Sequence, residues 1–214
     1  MKIGLLGGTF DPIHIGHLIV AEEVRVQLGL DKVLFIPARQ SPLKQDRLSS
    51  PVEDRLAMVE MAVASNPFFE VSRIELERDS PSYTIETVRF LLKRSGPGTS
   101  IYFLVGLDQA MALPNWKDPL PLMEICRLVF LSRPGWPPLD FESLDRHIPR
   151  ARERILSIEV PAIGISSTEI RKRVSRAEPF QRRHQPALRK PFVGLALGQR
   201  IAADFNGRFT ERKS

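Results

Sequence analysis

Along this chain, short apolar runs alternate with longer stretches in which apolar residues recur at helical spacing. Lys2 to Leu6 is short, apolar and followed by glycines, and predicts a buried strand. From about Gly16 to Leu28 the period becomes helical and stops at Gly29, a residue suited to the left-handed position beyond a helix end. Lys32 to Pro37 is the next strand, and Ser50-Pro51-Val52-Glu53 predicts a capping box with proline at the first helical position, opening a helix to about Ala64. Phe69 to Leu76 alternates as a strand does, and Thr84 to Lys93 has helical period closed by Gly96. Ile101 to Val105 is a continuous apolar run ending in glycine, as a central parallel strand requires. Asp118-Pro119 opens another helix, Leu128 to Leu131 is another buried strand, and Ile155 to Val160 a further one. Residues 137–154 are rich in proline and charge and predict no element. Ser166 to Glu169 is a second capping box, opening a short helix to about Val174.

Strands separated by helices imply right-handed βαβ units. The expected fold is therefore α/β, a Rossmann-like doubly wound parallel sheet with helices on both faces. Ligands of such sheets bind at the carboxyl ends of the strands. The length of 214 residues fits one domain, or one domain with a small appendage. The single cysteine, Cys126, excludes an internal disulfide and fits a reducing, cytoplasmic compartment. The glycine-interrupted start is too short for a signal peptide, and no apolar run approaches the roughly 20 residues that span a bilayer, so no membrane partner is expected.

The net charge of +6 suggests a nucleic-acid partner until it is located. Residues 171–214 hold 12 Lys+Arg against 3 Asp+Glu, so the rest of the chain is acidic on balance. Basicity belongs to the tail, and nucleic acid is not the expected ligand of the domain.

Chemistry enters with the segment from Gly7 to His17, which follows the first strand and precedes the first helix. Both positions favour an anion. Gly7 and Gly8 allow close backbone approach and unusual φ values, and Asp11-Pro12 suits a turn. His14 and His17 share a helix face if the helix begins near His14, where two imidazoles can donate to phosphate oxygens. A plain glycine turn with two incidental histidines is the alternative. No cysteine and few well-spaced carboxylates accompany the pair, which argues against a protein-built metal site. The glycine spacing also differs from Gly-x-Gly-x-x-Gly and from Walker A. The helix start at Ser166 and Ser167 offers hydroxyls and backbone N–H groups to an anion, with Arg171 about one turn in to clamp it; a simple cap with a surface arginine is the alternative there.

Gly7-Gly8-Thr9-Phe10-Asp11-Pro12 with His14-Ile15-Gly16-His17 resembles the HxGH signature of the nucleotidyltransferase superfamily. Ile165-Ser166-Ser167-Thr168 with Arg171 resembles its ISSTxxR motif, which holds the β- and γ-phosphates of ATP. The wording is most similar to the bacterial nicotinate-nucleotide adenylyltransferase family, and the resemblance covers about residues 1–175. It implies that nicotinate mononucleotide and ATP give deamido-NAD and pyrophosphate. It assigns catalysis to His14, His17 and Arg171, and ATP binding to Gly7, Gly8, Thr9, Phe10, His14, His17, Gly106, Asp108, Ile165, Ser166, Ser167 and Arg171. Acceptor binding falls to Lys44, Tyr83, Thr84, Trp116 and Arg133, with Trp116 stacking on the pyridine ring. Mg²⁺ would travel with the ATP phosphates. The alternatives are a related enzyme acting on nicotinamide mononucleotide or phosphopantetheine, or a non-catalytic protein binding nucleotides or nucleic acid. A homo-oligomer is an open expectation. Residues 176–214 depart from the family ending and read as an atypical basic extension, disordered or helical, or as an altered reading frame after about Arg176.

Overall fold

Six parallel strands form one sheet in the order β3-β2-β1-β4-β5-β6 in a computed structural model that describes residues 1–39, 49–78 and 82–176, with backbone only at residue 108. The strands are β1 (Lys2–Gly8), β2 (Lys32–Pro37), β3 (Phe69–Val71), β4 (Ser100–Gly106), β5 (Arg127–Ser132) and β6 (Ile155–Glu159). The helices are α1 (Ile15–Leu28), α2 (Val52–Val63), α3 (Thr84–Ser95), α4 (Leu107–Met111), α5 (Pro119–Ile125), α6 (Phe141–His147), α7 (Ala151–Arg154) and α8 (Ser167–Ser175). This is the expected doubly wound fold. The order reverses between β1 and β4, which opens a crevice at their carboxyl ends.

Alternation along the strands feeds two separate cores. Ile3, Leu5, Leu34, Ile36, Ile101, Phe103, Val105, Leu128 and Phe130 meet α3, α5, α6 and α7 on one face. Leu6, Val33, Phe35, Leu104 and Val129 meet α1 and α2 on the other. Strands covered on both faces have no polar side to show, which is why they read as continuous apolar runs. Helix α1 ends at Gly29, which is left-handed at φ 59°, as expected.

Four expectations change. Strand β3 stops at Val71, because a turn begins at once, with the Arg73 carbonyl accepting from the Leu76 and Glu77 N–H groups. The capping box at Ser50 does not form; Pro51 is the helix cap. Ser50 spends its N–H on the Asp11 carboxylate at 3.3 Å and its carbonyl on Arg55, so its backbone is held by tertiary partners. Residues 137–154 contain two short helices. Asp140 caps the first by accepting from the Ser143 N–H at 3.0 Å, and Leu144, Ile148 and Ala151 bury themselves in the core. At α8 the Ser166 hydroxyl accepts the Glu169 N–H as expected, but the Glu169 carboxylate takes Arg173 instead of closing the box. Lys44 and the extension from residue 177 onward lie outside the described residues, as does Pro81.

Candidate active site

Strand β1 carries Gly7 and Gly8 to its very end, paired with Ile36 and Pro37 of β2. Neither glycine has a positive φ, contrary to expectation; the left-handed residue is Phe10, at φ 48°. A bulky side chain there is strained and has to be held by its surroundings. Phe10 is 3% exposed and packs in the core, so its ring is not open to a nucleotide.

The two histidines meet at the start of α1. His14 is the cap residue, and its backbone N–H donates to Nδ1 of His17 at 3.1 Å. The rings stack with centroids 3.8 Å apart, and the Phe10 ring meets His17 edge-on at 5.2 Å. Gly16 makes this possible. A Cβ at that position would sit 3.0 Å from two atoms of the His14 ring, tighter than ordinary contact. The glycine between the two histidines is therefore steric room for the stacked pair.

Burial holds both imidazoles neutral. His14 is lowered to about 4 by burial and then by the charge of Arg133; His17 is lowered to about 3 by burial, by His14 and by Arg133. A neutral ring that accepts at Nδ1 carries its proton on Nε2. His17 is thus fixed as an Nε2–H donor, a group that suits an anion. The electrostatic reach of Arg133 to both rings places this predicted acceptor residue beside the phosphate loop.

The second motif folds onto the first. Arg171 donates from Nη1 to the Asp11 carbonyl, and the Ser167 hydroxyl donates to the Pro12 carbonyl at 2.9 Å. Residues more than 150 apart in sequence thereby share one loop. Ser166 is exposed at the N-terminus of α8, with Ile165 partly buried before it. Gly106 ends β4, next to β1 in the sheet, and caps α4; Asp108 lies in the first turn of that helix.

Three of the predicted acceptor residues, Tyr83, Thr84 and Trp116, lie around the start of α3. Tyr83 caps the helix and Thr84 is its first residue. Lys117 lies 4.5 Å over the Tyr83 ring and pairs with Glu86 at 2.6 Å, which ties the Trp116 segment to that turn. Trp116 meets Phe103 edge-on at 5.9 Å, and its buried Nε1 has no hydrogen-bond partner among the described residues. Beneath them, Thr87 donates to Glu75 at 2.8 Å and accepts from Arg78 at 2.6 Å. Burial raises the Glu75 carboxyl above the usual carboxylate range, against the hydrogen bond from Thr87.

Sequence reasoning missed this Glu75–Thr87–Arg78 network, and it missed Arg55, the largest fully buried side chain among the described residues. The signal for Arg55 was present. Positions 55, 58, 59, 62 and 63 form the buried stripe of α2, and an arginine stands at its first place.

Known proteins resemble this chain over most of its length. The family described as cytidylyltransferase-like matches residues 5–173. A relative from Roseiflexus sp. (strain RS-1), named "Probable nicotinate-nucleotide adenylyltransferase", is 46% identical over 84% of this chain and 88% of its own length. A relative of the same name from Dehalococcoides mccartyi (strain CBDB1) is 42% identical over 83% of this chain and 87% of its own. Among solved structures, the Plasmodium falciparum nicotinic acid mononucleotide adenylyltransferase complexed with NaAD superposes with a TM-score of 0.64 at 20% identity, covering 83% of this chain and 86% of that one. At that identity the superposition speaks for the fold.

Proposed function

We infer the reaction from one premise: this chain belongs to the cytidylyltransferase-like family, among its nicotinate-nucleotide adenylyltransferases. It transfers the adenylyl group of ATP to nicotinate mononucleotide, giving deamido-NAD and pyrophosphate, a step of NAD biosynthesis. The observation that carries the reading is the shared loop. A locked Nε2–H donor at His17 and the N-terminus of α8, latched through Arg171 and Ser167, are tied to the same loop after β1, and this supports a shared anion site there.

An acceptor phosphate oxygen attacks the α-phosphorus of ATP in line. One P–O bond forms, the bond to the bridging oxygen breaks, and pyrophosphate departs with that oxygen. A phosphate monoester is already ionised near neutral pH, so no strong base is needed, and the protein supplies position and charge stabilisation. His17 donates to the α-phosphate oxygens, where charge develops, and His14 to the β-phosphate. Ser166, Ser167 and Arg171 hold the departing pyrophosphate, with backbone from Gly7 to Phe10 and the Gly106–Asp108 turn completing the ATP side. Tyr83, Thr84, Trp116, Arg133 and Lys44 hold the acceptor.

Mg²⁺ belongs with the phosphates in this reading. The described residues bring no three metal-ligating side chains together, and the loop offers N–H and imidazole groups with one carboxylate, Asp11, already facing Ser50. Such a donor set suits phosphate oxygens better than a hard cation, and Mg²⁺ on a triphosphate needs few protein ligands.

The test is production of deamido-NAD and pyrophosphate from ATP and nicotinate mononucleotide by the purified protein. Product with the wild type and almost none with His17→Ala is the expected result; equal turnover by both overturns the role of His17, and no product with either overturns the reaction.

A further inference from the structure

Arg55 is fully buried, and among the described residues its hydrogen bonds go to carbonyls and none to a carboxylate. Its guanidinium donates to four main-chain carbonyls: Thr9 at 2.7 Å, Ala38 at 2.9 Å, Ser50 at 3.1 Å and Arg39 at 3.3 Å. Those carbonyls belong to three segments: the loop after β1, the chain leaving β2 and the chain entering α2. Placing this charge is costly. Arginine is almost never fully buried unless paired, and a cation in the first turns of a helix opposes the helix dipole. Acidic Glu53 and Asp54 in the same turn and the nearby charge of Asp11 offset part of that cost.

The contact with Thr9 has a consequence for the active site. Thr9 is followed by Phe10, whose left-handed backbone is strained and whose ring abuts His17 edge-on. We propose that Arg55 is a positioning residue for the reaction inferred above, on which this inference rests: by gripping the Thr9 carbonyl it holds the Phe10 backbone in its left-handed state, and the Phe10 ring in turn sets the His17 imidazole that faces the nucleotide. Arg55 touches no substrate in this account and acts only through Thr9 and Phe10. The four-carbonyl cage needs the planar, branched donor set of a guanidinium, and a lysine ammonium cannot reproduce it.

The test compares wild type with Arg55→Lys, well below the melting midpoint of each and per folded molecule. The positioning role predicts that kcat falls about 30-fold while KM for nicotinate mononucleotide stays within about threefold, because Tyr83, Thr84, Trp116 and Arg133 lie on other elements. It also predicts that ¹⁵N resonances of His17, which in the wild type report one neutral Nε2–H tautomer, become a mixture. A merely structural arginine lowers the melting midpoint and leaves kcat per folded molecule and the His17 signals unchanged; that result overturns the proposal. If Arg55→Lys does not fold, Phe10→Leu probes the same route from its other end. It is expected to reproduce the kcat loss and the His17 mixture, and unchanged kcat and signals in that variant overturn the proposal equally. A wild type that releases no pyrophosphate overturns the functional reading instead, and is distinguishable from both.

Discussion

On the phosphate side of the crevice, the locks run from side chains to backbone: Arg171 to the Asp11 carbonyl, Ser167 to the Pro12 carbonyl, Arg55 to Thr9, and the His14 N–H to the His17 ring. On the acceptor side, above the buried Glu75–Thr87 hydrogen bond, the outer locks are ion pairs of Glu86 with Lys117 and Arg78, and Lys117 lies over the Tyr83 ring. The first kind of lock is insensitive to salt and fixes dihedral angles. The second is partly exposed and screened by ions. A phosphoryl transfer needs fixed donors where charge develops, whereas an acceptor site has to admit and release a nucleotide. The two sides differ in the way those tasks differ.

The largest test of that contrast is His17→Ala. Turnover is expected to fall about a thousandfold, as when a preorganised donor to a developing charge is removed, with circular dichroism unchanged. Trp116→Ala comes next. Acceptor KM is expected to rise about 30-fold with the KM for ATP nearly unaffected, on the scale of losing an aromatic stacking platform. Equal effects on both substrates make Trp116 a core residue. Gly16→Ala pushes a methyl against the His14 ring and is expected to cost about tenfold in kcat through misplacement of the pair. Unchanged kcat there means that the stack tolerates the shift. Glu86→Gln frees Lys117 and is expected to raise acceptor KM about threefold at low salt, and less at 0.5 M salt, where screening has already weakened the pair.

A further test concerns stability. His14 and His17 have folded values of about 4 and about 3, below the ordinary 6.5 of an unfolded chain. The unfolded state therefore takes up protons first as pH falls. The stability these rings contribute is complete above pH 6.5 and is lost progressively toward pH 4 and below. The melting midpoint of the ligand-free protein should drop over that window, and less steeply in a double variant with asparagine at both positions. An equal slope in the two proteins contradicts the neutral, buried pair.

What the sequence made legible follows the same physics. Strands covered on both faces stand out as apolar runs, and Gly29 and Ser166 announce helix ends by local chemistry alone. The phosphate loop was legible because its residues are contiguous. Features that depend on distant partners were not. Ser50 looks like a cap until Asp11 and Arg55 claim its backbone. The left-handed residue is Phe10 and not a glycine, because tertiary packing and the Arg55 cage hold a conformation that local preference disfavours. Arg55 hid in plain sight on an apolar stripe, where a charged residue is ordinarily read as the edge of the exposed face.

The central claim is that the phosphate loop and the α8 latch serve adenylyl transfer to a pyridine nucleotide bearing a carboxylate. The direct measurement is pyrophosphate release from ATP with nicotinate mononucleotide, nicotinamide mononucleotide and phosphopantetheine side by side. The account predicts kcat/KM at least about 100-fold higher for nicotinate mononucleotide than for either alternative, the discrimination expected of a site built around specific polar groups. Preference for another acceptor, or no pyrophosphate with any of the three, contradicts it.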